Sequence, residues 1–404
     1  MRLRRRPPSA LTLGLFLGPL VACEADPGRT EATGAPVGLG EPTGTLADDF
    51  GSIQTVREMP DGRVLVADPL GRALYLVDLD AGTRTVVGSE GEGPGEYLQP
   101  DAVWPLPGDS TLLVDLGNGR LVALGPDLSF GPTMPIVMGE PSLGGGLVLA
   151  TPQGVDRAGR VYAPSRGGGL SAEPPDSGAI LRIDRASQRF DTVGAFKLEG
   201  QIRTVTSSGR GRGVRVSPIP LSPEDAWGVA PDGAVAVARA GEYRLDWLAP
   251  DGTVVQGPVT PHAPLPLGTA EKEEWDAERS REPGLSVSVS ISPGGAAETS
   301  FTRGGRGRAS GGTDLSQFDW PEVLPPIHSG RLPIDPRSRA WVRRHVGAGG
   351  PTTYDVFDRD GVRVGTVALD PDRQVIGFGA DAVYVVAYDE FDLNYLERYA
   401  MPQL

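Results

Sequence analysis

Cysteine is nearly absent from this chain, since Cys23 is the only one among 404 residues. A lone thiol excludes an internal disulfide framework. Cys23 ends a short apolar run close to the N terminus, in the stretch GPLVACEADPG, residues 18–28. Its position there is explained by processing of the N terminus, so we do not expect a thiol enzyme.

Lysine is rare as well, and the chain carries a net charge of -14. Lys197 and Lys272 are the only lysines, and every other basic residue is arginine. An acidic chain repels nucleic acid and anionic membrane surfaces, so we expect neither as a partner. Helical patterning is also nearly absent, which favours an all-β fold.

The N terminus has the layout of an export signal. Arg2, Arg4, Arg5 and Arg6 precede the apolar run Ala10–Ala22, whose 13 residues are too few to span a bilayer. Leu20-Val21-Ala22-Cys23 resembles the bacterial lipobox, which implies cleavage after residue 22 and lipid attachment to Cys23. The resemblance implies anchoring in the cell envelope outside the cytoplasm, on a periplasmic or outer-membrane face. An ordinary secretory signal with a chance cysteine is the alternative.

Beyond the signal, residues 23–45 are rich in Pro, Gly and Thr, which predicts a flexible tether. From about residue 50 one phrase recurs six times: a turn, a strand, a loop, a second strand and another turn. The copies begin near Pro60, Pro107, Arg157, Pro231, Pro336 and Gly379. We therefore predict a six-bladed β-propeller of four-stranded antiparallel blades over residues 46–404. A large β-sandwich or two smaller β-domains are the alternatives.

One copy carries a recognisable signature in Gly88–Leu124. The matching residues are Gly91, Gly93, Pro94, Gly95, Tyr97, Pro100, Val114, Asp115, Asn118 and Arg120. This copy resembles an NHL repeat, and the chain after residue 50 is similar to the NHL-like propeller lipoproteins of bacteria. That resemblance implies six blades but no uniform activity. Because the last copy has only three recognisable strands, we expect residues 37–53 to supply its outer strand.

Two insertions interrupt the repeat. Residues 199–218 are rich in Arg and Gly, and we expect a mobile loop there. Residues 259–318 separate blades 4 and 5 and begin with the strongest helical pattern of the chain, 268–282, for which Thr269 is the expected cap. This second insertion is either a lid over one propeller face or a surface excursion.

Aligning the copies places Asp68, Asp115, Ser165, Arg239, Arg344 and Ala387 at equivalent positions, where the loop between the second and third strands begins. Such loops usually open on the face of a propeller that carries its site. We therefore predict ligand binding at this mouth through Asp68, Asp115, Arg120, Ser165, Arg239 and Arg344. Their acids and arginines can hold a polar or anionic ligand, or pair internally to fix the strand ends.

Signatures of catalysis are scarce. There is no Gly-x-Ser-x-Gly elbow, and the Gly-rich stretches 209–213 and 304–312 are expected as flexible loops, not phosphate cradles. His262, His328 and His345 are too far apart in sequence to predict zinc, so no cofactor is expected, although calcium through Asp68 and Asp115 stays open.

The sequence therefore predicts a monomeric, non-catalytic binding module for a protein, peptide or glycan partner, anchored to the membrane by its lipid. The alternative is a calcium-dependent hydrolase or lyase, lactonase-like, with its site at the central mouth. A purely structural scaffold is the third possibility.

Overall fold

The predicted six-bladed β-propeller is confirmed. The computed structural model describes residues 34–138, 148–167, 174–208, 211–291, 297–304 and 313–404. The signal 1–22 and Cys23 lie outside these ranges. Six four-stranded units form the ring, and neighbouring strands within them are almost all antiparallel.

The first three blades follow one another along the chain. Blade 1 contains the strands Val56–Glu58, Val64–Asp68, Ala73–Asp78 and Thr83–Val86. Blade 2 contains Pro100–Pro105, Thr111–Asp115, Arg120–Leu124 and Phe130–Pro135. Blade 3 contains Gly154–Val155, Val161–Ser165, Ser177–Asp184 and Arg189–Lys197.

The last three blades include strands from elsewhere in the chain. Blade 4 contains Ala226–Val229, Val235–Arg239, Arg244–Leu248 and Val254–Gln256, with Gly330–Arg331 added in parallel to its inner strand. Blade 5 contains Ala340–Arg344, Thr352–Phe357 and Arg363–Leu369, with a bridge from Ile334 on its inner side and Val37–Gly38 on its outer side. Blade 6 contains Arg373–Phe378, Ala382–Tyr388, Asn394–Ala400 and Gly44–Thr45.

Six apolar clusters, one between each pair of adjacent blades, hold the ring together. Because each blade packs against a neighbour on both faces, the second strands are mostly buried. All five residues of Val64–Asp68 and of Thr111–Asp115 are buried. The outer strand Val254–Gln256 is exposed throughout. Burial of both faces explains why the repeat shows continuous apolar runs as well as alternating ones.

The N-terminal stretch closes the ring, as predicted. Gly44 and Thr45 pair with Arg398 and Glu397 of blade 6, and Phe50 is fully buried between blades 6 and 1. Residues 37–38 and 44–45 therefore belong to the sheets. The expected tether 23–45 is too long at its C-terminal end, because its apolar residues complete blades 5 and 6.

The first insertion, expected as a mobile loop, contains a β-hairpin. Strands Gln201–Ser208 and Gly211–Pro218 pair along their whole length, because β-branched residues alternate through both. The Gly-rich stretch 209–213 falls partly in the second of these strands, and its residues 209–210 are outside the described ranges.

The second insertion contains the helix Thr269–Arg281, the hairpin Leu285–Ile291 and Ala297–Arg303, and the short 3-10 helix Leu315–Gln317. The helix begins one residue earlier than expected, since Gly268 and not Thr269 is its N-cap. The Glu271 carboxylate accepts from the Gly268 N–H at 2.9 Å. Of the Gly-rich stretch 304–312, the structure describes Gly304 alone.

Three short two-stranded pairings complete the described elements outside the blades and the large hairpins. They join Ser89–Glu90 to Glu96–Tyr97, Val137–Met138 to Val148–Leu149, and Leu265–Pro266 to Val323–Leu324. Within the described part of the chain, no helix is both long and apolar enough to cross a membrane.

Candidate functional site

The predicted site residues lie on one face of the ring. The second strands of blades 1 to 5 end at Asp68, Asp115, Ser165, Arg239 and Arg344, and that of blade 6 ends one residue beyond Ala387. We call the face that carries the following loops the mouth face. The strand ends therefore agree with the alignment of the repeats in blades 1 to 5 and differ from it by one residue in blade 6.

Both aspartates of the predicted site are held by donors of their own and adjacent loops. The Asp68 carboxylate accepts from the backbone N–H groups of Gly51, Ser52, Leu70 and Gly71 at 2.8–3.1 Å. Asp115, fully buried, accepts from the N–H groups of Leu98 and Gln99, the Asn118 amide and the Arg120 guanidinium. These bonds tie the entry of each blade to the end of its second strand.

The predicted cationic residues are also paired within the ring. Arg120 donates to the Glu96 carbonyl at 3.0 Å as well as to Asp115. Arg239 lies 2.9 Å from both Asp225 and Asp246. Arg344 lies 3.7 Å from the buried Asp355. Ser165 pairs with Ala179 in the blade 3 ladder. None of the six lines the large cavity at the hub that is described below. Their ligand-binding role stays a prediction.

The second insertion is a lid on the mouth face. Its helix is fixed to the segment 313–320 by an aromatic cluster, in which the Trp275 ring lies 5.5 Å from Phe318 and 5.2 Å from Trp320, both edge to face. Lys272 and Arg279 stand over Trp320 and Trp275. We call the described residues 268–291 and 297–304 the lid.

Contacts with three blades fasten the lid. On the helix, Glu278 accepts from Arg343 of blade 5, and Arg281 donates to Asp392 of blade 6 at 2.9 Å. At the end of the hairpin, Arg303 pairs with Asp101 of blade 2, and its backbone exchanges two hydrogen bonds with the Gln99 amide. Phe301 is buried in the cluster between blades 2 and 3.

A cavity of about 650 Å³ lies between the lid and the hub of the ring. The lid contributes Trp275, Glu278, Arg279, Arg281, Glu282 and Leu285, among others. The ring contributes Glu199, Arg343, Tyr354, Gln374, Tyr388 and Asn394, and the connection before blade 5 contributes His328 and Arg331. Its volume is that of a small-molecule site. We call it the lid cavity.

Two glutamates in this cavity have raised pKa values. Burial, reinforced by the neighbouring Glu224, raises the pKa of Glu199 to about 7, against the opposing effects of Arg166 and Arg279. Glu282 is accessible from the cavity yet surrounded by protein, and its pKa is raised by burial and then lowered in part by Arg343. A carboxyl with a pKa of about 7, as in Glu199, can hold or accept a proton near neutral pH.

Two histidines that are far apart in sequence stack in the cavity wall. The His328 and His345 rings have centroids 3.7 Å apart. Burial lowers the pKa of His345 to about 4, and burial with Arg343 holds the pKa of His328 well below its usual value, so both are neutral at pH 7. His345 Nδ1 lies 3.0 Å from the Pro325 carbonyl, which assigns the proton to Nδ1 and leaves Nε2 an acceptor.

Arg331 closes the floor of the lid cavity at the hub. Its Nη2 donates to the carbonyls of Ile376 at 2.5 Å and Gln54 at 3.4 Å, and its guanidinium carbon lies 5.5 Å from the Trp104 ring centroid. Burial lowers its pKa to about 10. The guanidinium is therefore charged at neutral pH and adds positive charge at the base of the cavity.

The sequence left open a calcium site formed by Asp68 and Asp115, and the arrangement of these two residues does not fit one. The oxygens of Asp68 and Asp115 are occupied by N–H donors, and the two side chains belong to separate blades. Across the described ranges no group of three or more His, Cys, Asp or Glu side chains is arranged to hold a metal ion.

Reasoning from the sequence missed most of this cavity. It aligned the repeats but left the insertions aside, and Glu199, Glu278 and Glu282 come from those parts. Arg343 lies in an aligned strand, one residue before the predicted Arg344. Reasoning from the sequence also set the histidines aside because 17 residues separate positions 328 and 345. The high density of charged residues in EKEEWDAERSRE, residues 271–282, was a feature of the sequence that could have indicated a functional site there.

Comparisons with known proteins give structural likenesses alone. No family model and no curated protein match the chain, so the resemblance to NHL repeats stays a prediction. A gluconolactonase from Xanthomonas campestris is similar at 12% identity over 89% of this chain and 91% of that one, with a TM-score of 0.41.

Two other solved propellers are comparably distant. Regucalcin, a calcium-binding protein from Agrobacterium tumefaciens, has 15% identity, coverage of 89% and 95%, and a TM-score of 0.33. Virginiamycin B lyase from Staphylococcus aureus has 8% identity, coverage of 89% and 98%, and a TM-score of 0.34. The chemistry of the present site is therefore argued from its own residues.

Proposed function

We propose that this protein is an enzyme that uses the lid cavity for acid–base chemistry on a small anionic molecule, as a lactonase-like hydrolase or a lyase. The observation that supports this most is the pKa of Glu199, which is about 7. The Glu199 side chain lines an enclosed cavity that several arginines also line. Carboxyls shifted to neutral pH inside a cleft are typical of general acids and bases.

The lid decides between a small and a large ligand. It lies over the mouth face and is fastened to blades 2, 5 and 6. A folded protein or long glycan would meet the outside of the lid, whereas a small molecule fits a cavity of about 650 Å³. The lid therefore favours a hydrolase or lyase, which the sequence left open as the alternative, over the binding module. The calcium of that alternative is not part of the proposal.

The proposed roles follow from charge. Arg279 and Arg343 would bind an anionic group of the substrate by charge-assisted hydrogen bonds. Glu199 as carboxylate would take a proton from an attacking water or from an acidic C–H group. Burial raises the pKa of Glu282, which suits this carboxyl to give a proton to the departing oxygen. In lactone hydrolysis the water oxygen bonds to the carbonyl carbon, the ring C–O bond breaks, and the two carboxyls balance the protons.

The test is a panel of lactones and eliminable carboxylates with the purified protein in the presence of a metal chelator. We expect kcat/KM to rise with pH through an apparent pKa of about 7 and to level off above it, because Glu199 must be ionised. Glu199→Gln should lower kcat by about 10²-fold or more. Glu273→Gln, an exposed glutamate of the lid helix, is the matched control and should keep full activity.

A flat pH profile with full activity in Glu199→Gln would remove Glu199 from the mechanism. Saturable binding without turnover across the panel would instead support a binding protein for small molecules. The expected protein, peptide or glycan partner stays a prediction, and a pull-down with and without the lid variants addresses it.

We also propose that the chain is an exported, NHL-like propeller lipoprotein anchored through Cys23. The support is the signal-like start and the lipobox resemblance, both in the sequence. Labelling cells with an alkynyl fatty acid should mark the protein, and Cys23→Ser should abolish the label. Release of an unlabelled wild-type protein would indicate an ordinary secretory signal.

A further inference from the structure

A second cavity lies at the opposite end of the hub, and we propose that it binds an amphipathic small molecule with an apolar body and a carboxylate head. It has a volume of about 550 Å³ and lies where the first strand of each blade turns into the second. We call it the lower chamber. It is independent of the activity proposed for the lid cavity.

The wall of the lower chamber suits an apolar body. Large apolar side chains from five blades reach it, namely Met59, Trp104, Leu106, Val229, Ile334 and Phe378. Prolines in the same turns, among them Pro107 and Pro231, leave fewer backbone N–H groups to bind polar ligands. A chamber of this size and lining can bury the chain of a medium-length fatty acid.

Two buried donors in this wall lack acceptors. Arg57 is 7% exposed, and its Nε finds no hydrogen-bond partner among the described residues. The Nε1 of Trp104 is also buried and finds no hydrogen-bond partner among the described residues. An unsatisfied buried donor costs about 1–3 kcal/mol, so two of them in one wall point to an acceptor that a ligand supplies.

Most carboxylates of the wall already have donors, which leaves the arginines for an anionic acceptor. Arg57, Arg157 and Arg331 line the chamber together with Glu58, Asp109, Asp156 and Asp335. Asp156 and Asp335 accept from Arg160 and Arg339. The nearby Glu58 carboxylate is already engaged, since it accepts from the Ala380 N–H at 3.0 Å and from the Tyr384 hydroxyl at 2.6 Å. Burial lowers the pKa of Arg57, opposed by Asp109 and Glu58, and a bound carboxylate would stabilise the charged guanidinium further.

The segment Arg331–Pro333 separates the two cavities. Its residues line both of them, and the Arg331 guanidinium spans the hub between the Trp104 ring and the Ile376 carbonyl. A ligand in the lower chamber therefore touches the far side of the wall that floors the lid cavity. Binding in the two places can be told apart by variants specific to each.

The experiment is calorimetric titration of the whole protein with decanoate and, as a neutral match, 1-decanol. We expect decanoate to bind at least about tenfold more tightly than the alcohol, because the alcohol cannot pair with the guanidinium. Arg57→Met should weaken decanoate by about tenfold or more and leave 1-decanol unchanged. Trp104→Phe, which keeps the ring and removes the N–H, should weaken decanoate severalfold.

Arg279→Gln, in the lid cavity, is the control and should leave decanoate binding as it is. Loss of decanoate binding in Arg279→Gln but not in Arg57→Met would place the ligand under the lid and overturn the proposal. Absence of binding by the wild type, or equal affinity for both ligands, would also overturn it. Circular dichroism confirms that each variant is folded, and Trp104→Phe carries the test if Arg57→Met is not.

Discussion

The acidic side chains of the mouth face form two groups that differ in their hydrogen-bond donors. Asp68 and Asp115 are surrounded by N–H groups that hold their carboxylates. Glu199 and Glu282 have few such donors and lie in the lid cavity, where burial raises their pKa. The first group organises the fold, and the second is available for chemistry.

Asp115→Ala should destabilise the protein strongly. It removes a fully buried carboxylate and leaves Arg120, Asn118 and two backbone N–H groups without their acceptor. Removing one partner of a buried pair costs about 3–5 kcal/mol. Denaturant unfolding followed by tryptophan fluorescence measures the loss.

Asp127→Ala is the matched control in the same blade. Asp127 is an exposed turn residue that accepts from Ser129, so its replacement should change stability far less. Calcium should leave the melting temperature of the wild type and of Asp115→Ala unchanged. A calcium-dependent rise that Asp115→Ala abolishes would contradict the structural role and restore the calcium enzyme.

At the scale of elements, the lid helix is unusual because it has no buried residue. Its stability rests on the aromatic cluster with Phe318 and Trp320 and on ion pairs to the ring. An element held by few contacts opens at lower free energy than the blades do. Opening at lower free energy suits the role proposed for the lid, which has to open for a ligand to enter the lid cavity.

Trp275→Ala should make the lid open more often. It removes two edge-to-face ring pairs, each worth about 0.5–1.5 kcal/mol beyond burial, so the open fraction should rise by about tenfold. Limited trypsin digestion reads this out as faster cleavage after Lys272, Arg279 or Arg281.

Glu273→Ala introduces alanine on the same helix without touching the cluster, and this variant should be cleaved at the wild-type rate. Equal cleavage of both variants would show that the ion pairs alone hold the lid. The blades should stay uncut in both, since their strands are buried between neighbours.

The whole molecule depends on closure of the ring by a segment distant in sequence. Blade 6 takes its outer strand from Gly44–Thr45, and Phe50 bridges to Asn394 beside it. Closure removes the free edges that a row of blades would otherwise expose. The first and last parts of the described chain are thus one structural unit.

Phe50→Ala should weaken this closure. Phe50 is fully buried between blades 6 and 1 and packs edge to face on Tyr75 at 5.7 Å, so its truncation should cost about 3–5 kcal/mol. Phe391→Ala, where the side chain is 65% exposed, should cost far less. Denaturant unfolding measures both. Equal, small losses would show that the ring is held without the N-terminal segment.

The sequence by itself determined the number of blades, the residues that end each second strand and the source of the closing strand. These are set by local alternation, turn residues and repetition, which act within a blade and recur in each copy. The tether boundary and the hairpin at 201–218 were misjudged because short β-branched stretches were outweighed by their Gly and Pro content.

Only the tertiary structure decided where the candidate chemistry lies. Glu199, His328, His345 and the lid meet because the ring brings segments that are distant in sequence to one hub, and no local pattern encodes that contact. Glu199 lies 129 residues before His328. Their pKa values depend on burial among these partners. The same closure formed the partition at Arg331 and, with it, the lower chamber.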